Sequence, residues 1–448
     1  LDIKVILSEP RERIFRTAKK SNMPDRSRPP LIKGIEQLKL PEPQKILLGN
    51  GVPMYVLSMG RQEVCKLEIV FRAGRPYEHK QLVARATSSL MREGTANYTG
   101  RLIAEEMDYY GCSLKTPFNI DVNTVTLYVV NKHLDQVLPL LADVISAPAF
   151  SQKELDSFIK RNQQRLQIDL AKSDVQAYRK ITELIFGSHH PYGYNSFSET
   201  YTQLDREDLF RHFHRLHTSG NAMVFLSGKV DRDMIQKIDD TLSSAIPGGA
   251  QVAPNIPETD TRPDRFYLSQ KDSLQTAVRM GRRLFSRHHP DYPGMYVLNN
   301  LLGGYFGSRL MTNIRERLGY TYNIYSIIDP MVFDGGLYIG TEVSNDAVED
   351  TIRQIHIELD RLRNELVGEE ELYMLRNYTL GYLLSLLDGV FGMAEVIKTL
   401  YIDGLSVSFI DQISKVVKEI TAEELRALAQ QYLRQEDLWE VVVGPLAP

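Results

Sequence analysis

A chain of 448 residues is long enough for two domains of ordinary size, each with its own core. Its hydrophobic content of 43% and charged content of 25% are those of a globular protein, and a net charge of −4 shows none of the positive bias of a nucleic-acid or membrane-surface binder. Cys65 and Cys112 are too few for a disulfide scaffold and lack metal-ligand spacing, so buried thiols are expected.

Residues 1–33 hold nine Lys or Arg against four Asp or Glu, with Pro29 and Pro30 near the end of the run. A basic, disordered leader over residues 1–35 is expected, with Met23 as an alternative start. No segment reaches the roughly 18 uninterrupted apolar residues of a membrane span. There is no charged start followed by an apolar run and a small-residue cleavage site, and a cytoplasmic location is expected.

From Lys45, KILLGNGVPMYVLS predicts two short strands around the Asn50-Gly51 hairpin turn. Cys65 to Gly74 reads as a strand, Gln81 to Arg92 as a helix stopped by Gly94-Thr95, and Leu102 to Tyr110 as a helix ended by Gly111. The strands SLKTPF and NTVTLYVV follow, then helices over Leu134 to Ser146 and from Ser151, at the capping box Ser151-Gln-Lys-Glu154, to about Ala171. A loop, FGSHHPYG, leads to a helix opening near Asp205, and AMVFLSGKV closes this half as a buried strand.

Pro247 to Pro263 carries four prolines and two glycines without helical or strand period, as a linker does. The order of elements then repeats, ending in a capping-box helix from Thr421-Ala-Glu-Glu424 and the strand LWEVVVG. Arg101-Leu102 before Gly111 matches Arg309-Leu310 before Gly319 at an offset of 208. The expected fold class is α+β: two homologous α/β-roll domains, residues 36–246 and 264–448, each a sheet covered by helices on one face and related by internal duplication.

The stretch Leu301 to Ser326, LLGGYFGSRLMTNIRERLGYTYNIYS, is the most informative. Gly303, Gly304 and Gly307 permit a tight loop, Ser308 suits a helix cap, Leu310 to Leu318 read as a helix ended by Gly319, and the alternation from Tyr320 to Tyr325 reads as a strand. Arg315 and Tyr322 lie seven residues apart across the glycine, so a helix-to-strand turn is expected to aim both into one space. A guanidinium and a phenol hold a carbonyl, a carboxylate or developing negative charge, but do not activate water. At the offset of 208 the first half carries apolar Met107 and Leu114 instead. The chemistry is therefore assigned to the second half.

This segment resembles the C-terminal-half signature of the pitrilysin and mitochondrial-processing-peptidase family of inverted-motif zinc peptidases. There a Gly-rich loop precedes an Arg-Glu helix, a glycine and a tyrosine. The resemblance implies that Arg315 and Tyr322 bind substrate backbone or steady an oxyanion beside a zinc carried elsewhere, and that Gly303, Gly304, Gly307 and Ser308 border the substrate. The family's zinc motif, His-x-x-Glu-His, sets two imidazoles on one helix face with a carboxylate between them. Anchored on Gly94-Thr95, its positions here are Arg85, Ser88 and Ser89, and none supplies an imidazole or carboxylate. The third ligand, a later glutamate, has only Gln167 and Asp169 as counterparts, with no Glu between Glu154 and Glu183. The resemblance implies no metal in this chain, with zinc in a homologous partner subunit of a heterodimer and peptide as substrate. A homodimer of the chain purified alone is the alternative assembly, which the sequence does not decide. The rival readings are an inactive scaffold or peptide-binding core of a larger complex, and an enzyme with zinc at an unrecognised site.

His212, His214 and His217, with Asp208 a turn before His212, form the densest histidine group, and the preferred reading is a solvated amphipathic helix. His189-His190 and His288-His289 are read as structural turns. Phosphate-loop, dinucleotide and nucleophile-elbow patterns are missing.

Overall fold

A computed structural model describes Ile35 and residues 38–445, so the expected basic leader, apart from Ile35, lies outside the described residues. The hairpin strands β1 (Gln44–Leu47) and β2 (Pro53–Ser58) pair antiparallel, and Gly51 takes the left-handed φ of +84° that their turn requires. After β3 (Val64–Phe71) come α1 (Val83–Leu90) and α2 (Gly100–Tyr109), the latter ended by Gly111 at φ +63°. β4 (Ser113–Lys115), β5 (Asn123–Val130) and α3 (Leu134–Ser146) follow. The Ser151 hydroxyl accepts from the Glu154 N–H to open α4 (Gln152–Leu170), and α5 (Ser173–Phe186) and the short α6 (Ser198–Thr202) come next. Asp205 caps α7 (Arg206–Leu216), and the wholly buried β6 (Ala222–Gly228) leads to α8 (Arg232–Ala245). These strands form one mixed sheet in the order β1-β2-β6-β3-β5-β4, with β2 and β6 parallel.

Residues 247–264 have no regular structure, yet they are tied down: Val252 N–H donates to the Asn221 side chain, Asn255 N–H to the Pro76 carbonyl and the Thr261 hydroxyl to the Ile185 carbonyl. The second sheet then rebuilds the first. Its elements are β7 (Arg265–Ser269), β8 (Gln275–Arg283), α9 (Tyr292–Asn299), β9 (Ile324–Pro330), β10 (Gly335–Ser344), α10 (Val348–Asn364), α11 (Glu369–Leu386), α12 (Gly389–Ile402), α13 (Ser408–Glu419), α14 (Ala422–Tyr432) and β11 (Trp439–Gly444). Thr421 and Glu424 form the expected reciprocal capping box. The order β7-β11-β8-β10-β9, with β7 and β11 parallel, copies the first sheet without its outer hairpin strand.

Strand register refines the duplication. Across the first sheet Leu226 faces Leu67, Leu67 faces Leu127, and Leu127 faces Leu114. Across the second, Val442 faces Val278, Val278 faces Thr341, and Thr341 faces Ile324. Gly111 and Gly319 end equivalent helices with φ of +63° and +69°, so Arg315 and Met107 stand at the same distance before the glycine, although the bond from Cys112 N–H to the Met107 carbonyl has its counterpart in that from Tyr320 N–H to the Ile314 carbonyl. The strand equivalent of Leu114, however, is Ile324. Tyr322 therefore has no counterpart in the first half; it lies in a segment two residues longer than the stretch between Gly111 and Leu114.

Each sheet is covered on one face by helices of its own half, and the opposite face by a helix of the other half. Ala177, Ile181 and Ile185 of α5 pack on Ala277, Tyr338, Trp439 and Val441 of the second sheet. Reciprocally, α12 lies on the first sheet, with Tyr401 against Tyr55 and Phe225, and Phe391 edge-on to Tyr128. The sequence shows the helices but not this exchange, because a helix's apolar stripe does not name the sheet it meets. Residues 38–445 thus fall within one compact unit.

Between β3 and α12 four charges form a square. Lys66 bonds Glu68 at 2.8 Å and Glu395 at 2.9 Å, while Lys398 bonds Glu68 at 2.7 Å and Glu395 at 2.7 Å. The Lys66 and Glu68 side chains are 5% and 2% exposed, so each depends on its partners. The partner carboxylates raise the Lys66 ammonium pKa against the opposing pull of burial.

The histidine helix departs from expectation. His212 and His217 are buried rather than solvated: His212 Nε2 donates to the Ala73 carbonyl at 3.0 Å, and the His217 ring stacks on Phe213 and meets Phe71, 2.9 Å from the Asn123 amide nitrogen. Burial pushes their pKa values down to about 4 and about 3. Only His214 faces outward of the three, since period 3.6 sets it off the apolar stripe. No single described helix is long and apolar enough to cross a membrane; α11 with α12 passes that test only as a pair bent by 102°.

Two predictions follow from these buried charges and rings. Glu68→Ala strands two ammonium groups and is expected to lower unfolding free energy by about 3–5 kcal/mol, whereas Glu395→Gln, at a side chain 54% exposed, costs about 1 kcal/mol or less; equal costs in urea titrations would refute the square's role. The folded rings of His212 and His217 resist protonation, while unfolded histidine titrates near ~6.5. Their contribution is complete above that value and lost as pH falls from roughly 6.5 toward 4, on the order of 3 kcal/mol for each. The stability gap between wild type and His217→Asn should narrow by about that amount between pH 7 and 4, and a constant gap would count against it.

Candidate functional site

The helix before Gly319 is built differently from its counterpart α2. α9 runs on as a π turn over Asn300–Gly304, and after the loop a helix from Arg309 becomes π-helical over Met311–Arg317. Leu318 N–H reaches the Asn313 carbonyl, five residues back, and Tyr320 N–H the Ile314 carbonyl. Such widened turns shift side chains out of the ordinary helical phase.

The glycine loop is docked against β9. A Cβ on Gly303 would lie 2.4 Å from the Ser326 nitrogen, and Asn299 and Ser326 exchange two hydrogen bonds. A Cβ on Gly304 would meet the Asn300 side-chain oxygen at 2.4 Å, and one on Gly307 the Tyr305 ring at 2.8 Å. Gly303 and Ser308 are buried, Gly304 is half-buried and Gly307 exposed. Ser308 precedes the first helical residue, but its hydroxyl makes no hydrogen bond; its carbonyl accepts from Thr312 N–H. The expected side-chain cap is therefore absent.

Three arginines leave this helix. Arg309 grips Glu371 of α11 through two bonds of 2.9 Å, and Arg317 donates to Asn313, itself bonded to Glu358. Arg315 has no hydrogen-bond or ion-pair partner among the described residues. Its guanidinium lies 4.5 Å from the centre of the Phe306 ring on the glycine loop, which holds it by charge–quadrupole attraction while leaving its donors free.

Beyond Gly319, Tyr320 donates to Asp350 of α10 at 2.6 Å, and Thr321 is bonded to the Glu342 carbonyl and to Thr341. Thr321 is thus turned back to the sheet and also accepts from Asn323 N–H, while Tyr322 is 91% exposed and its hydroxyl has no hydrogen-bond partner among the described residues. No contact joins Arg315 to Tyr322 among the described residues. Phe306, Tyr320 and Thr321 were not foreseen as supports. Their only sequence signal is an aromatic in the glycine loop and a polar–aromatic alternation around Tyr322.

The zinc-motif positions sit on α1 and do not fit a metal. The Ser88 hydroxyl is committed to the Thr116 carbonyl at 3.2 Å, the Arg85 guanidinium lies 6.0 Å from the Phe118 ring, and Ser89 is half-buried. On α4, Gln167 is exposed and Asp169 is paired with Lys172 at 3.0 Å. Among the described residues no group of three or more His, Cys, Asp or Glu is placed to hold a metal ion. Hydroxyls and a guanidinium in these positions offer zinc neither imidazole nor carboxylate.

Comparison with known proteins agrees with this architecture. Residues 55–183 match the model of the insulinase peptidase family M16, and residues 203–378 that of the peptidase M16 inactive domain. An uncharacterized zinc protease of Rickettsia felis is 23% identical over 332 residues, covering 72% of this chain and 79% of that one. A non-peptidase homolog, YmxG of Helicobacter pylori, is 22% identical over 399 residues, covering 84% and 88%. The crystal structure of a peptidase M16 inactive domain from Pseudomonas fluorescens superposes with a TM-score of 0.84 at 21% identity, over 90% of this chain and 98% of that one. With two models of one family matched over most of its length and a fold shared over 90% of it, this chain belongs to the peptidase M16 (insulinase) family.

Proposed function

We propose that this chain is the non-zinc subunit of a heteromeric M16 peptidase, gripping the main chain of a peptide with Arg315 and Tyr322 while a homologous partner supplies zinc. One observation carries the reading. Of three arginines on the helix after the glycine loop, Arg309 and Arg317 are spent on the protein's own polar groups, and Arg315 is propped on Phe306 with its donors unused. The buried Met107 of the first half is matched by the buried Ile314, so the charge of Arg315 is not part of the shared apolar pattern. The exposed phenol of Tyr322, in its own two-residue insertion, is a further donor for carbonyl oxygen. Both groups are hydrogen-bond donors, and so the chain can bind and orient a carbonyl but must obtain its nucleophile elsewhere.

A second reading, an inactive peptide-binding or scaffold protein, is favoured by the Ser88 hydroxyl being locked onto a carbonyl where the zinc motif would need a carboxylate. The two are separable by experiment. Reconstituted with a zinc-bearing M16 chain, the complex should cleave peptides, and Arg315→Ala should cut kcat/KM on the order of 100-fold, while Arg317→Ala changes it by about threefold or less. A fully active Arg315→Ala complex would overturn the assignment. Peptide binding without turnover would support the scaffold reading. Metal analysis of the purified chain alone should find zinc far below one equivalent; a stoichiometric amount would contradict both.

A further inference from the structure

Arg279 is a charged residue in the middle of β8, the central strand of the second sheet. It sits on the same face as Ala277 and Gly281, the face that α5 covers. It is 6% exposed, and no carboxylate pairs with it among the described residues. Its Nη1 donates to the Val278 and Thr341 carbonyls at 3.0 Å each, its Nε is buried without a partner, and Nη2 carries no hydrogen bond. A buried guanidinium satisfied on one edge only is costly unless something completes it.

What lies against it is a cavity of ≈ 280 Å³ walled by Arg279, Tyr325, Thr341, Asn323 and Tyr322, with Asp174 of α5 and Glu342 also lining it. The Tyr325 ring flanks the guanidinium at 5.8 Å and occupies room that Gly340 leaves free, since a Cβ there would stand 2.7 Å from the phenol. The surroundings thus offer a fixed cation, hydroxyls and an amide. Neither Asp174 nor Glu342 comes within ion-pair distance of Arg279, so no carboxylate of the described residues is bonded to it. Their presence still matters, because two carboxylates lining the same cavity oppose the entry of a multiply charged anion such as phosphate.

We propose that this cavity is a binding site for a single peptide carboxylate, with Arg279 as its anchor. The group bound is either a C-terminal α-carboxylate or an acidic side chain, set beside Tyr322. The inference rests on the reading that the chain binds peptide, and it adds a charge preference that the Arg315 and Tyr322 main-chain grip does not supply. The unbonded Nη2 of this guanidinium can donate a charge-assisted bond to a carboxylate oxygen, and a neutral amide in its place would leave the charge uncompensated.

The test is calorimetric titration of the full chain with N-acetylated alanine hexapeptides: free acid against C-terminal amide, and amidated peptides with one internal Glu against Gln. The carboxylate member of one pair should bind about tenfold tighter or more, and which pair shows the difference identifies the source of the carboxylate. Arg279→Gln should abolish that preference without weakening the amide. Because the wild-type comparison stands by itself, a misfolded variant does not remove the test. Binding of both members of both pairs within about twofold would overturn the inference while leaving peptide binding intact. If no hexapeptide binds, N-acetylglycinate against N-acetylglycinamide decides: acid-selective binding upholds the pocket and sinks the peptide reading, and no binding of the acid sinks the pocket. Inorganic phosphate should not compete, and tight phosphate binding would also overturn it.

Discussion

The charged inner face of β3 is the constraint on which the rest of the architecture depends. Lys66 and Glu68 are incompatible with an open sheet face that must exclude water, and equally incompatible with an apolar cover. α12 resolves this by bringing Glu395 and Lys398 from the far half of the chain, so that every charge has an opposite neighbour. The second sheet solves the complementary problem with apolar residues, Ala177, Ile181 and Ile185 of α5 covering its central strands. An ion square of this kind is a weak source of stability, and here it ties α12 to both charges of β3. With both exchanges made, each sheet is completed by the other half.

That rigidity explains how a site is carried by a loop and two irregular helical turns. The glycine loop is pressed onto β9 at distances that leave no space for a Cβ, and the helix after it is tied at both ends, through Arg309 to α11 and through Tyr320 to α10. The groups left over, Arg315 and Tyr322, are those for which the protein itself has no use. In the first half the same helix ends in a left-handed glycine but presents Met107 to the core, and the strand follows two residues sooner. Duplication preserved the frame, and the two halves depart from it at this helix and in the segment after its glycine.

The first half shows the converse. Its α1 keeps the position of a zinc-motif helix in the fold while its side chains have become ordinary structural ones, a hydroxyl on a carbonyl and a guanidinium beside a ring. The M16 fold tolerates this because the helix is held by its apolar face, with Val83, Ala86 and Leu90 in the core, and not by metal coordination. A helix held by its apolar face does not need metal donors at these positions to keep its place.

By itself the sequence determined the order of nearly all strands and of the helices that carry a cap or a clear apolar stripe. It also determined the duplicated plan, the left-handed glycines at 111 and 319, and the lack of metal donors at Arg85, Ser88 and Ser89, because these depend on local periodicity, caps and side-chain chemistry. Only the tertiary structure decided that α5 and α12 change places, since an amphipathic stripe says that a helix is covered but not by what. It likewise decided that His212 and His217 are core rings, that Ile324 rather than Tyr322 answers Leu114, that Phe306 supports Arg315, and that Arg279 faces a cavity. Each of these rests on strand register or on contact between residues distant in the chain, and such contacts leave no period in the sequence to read.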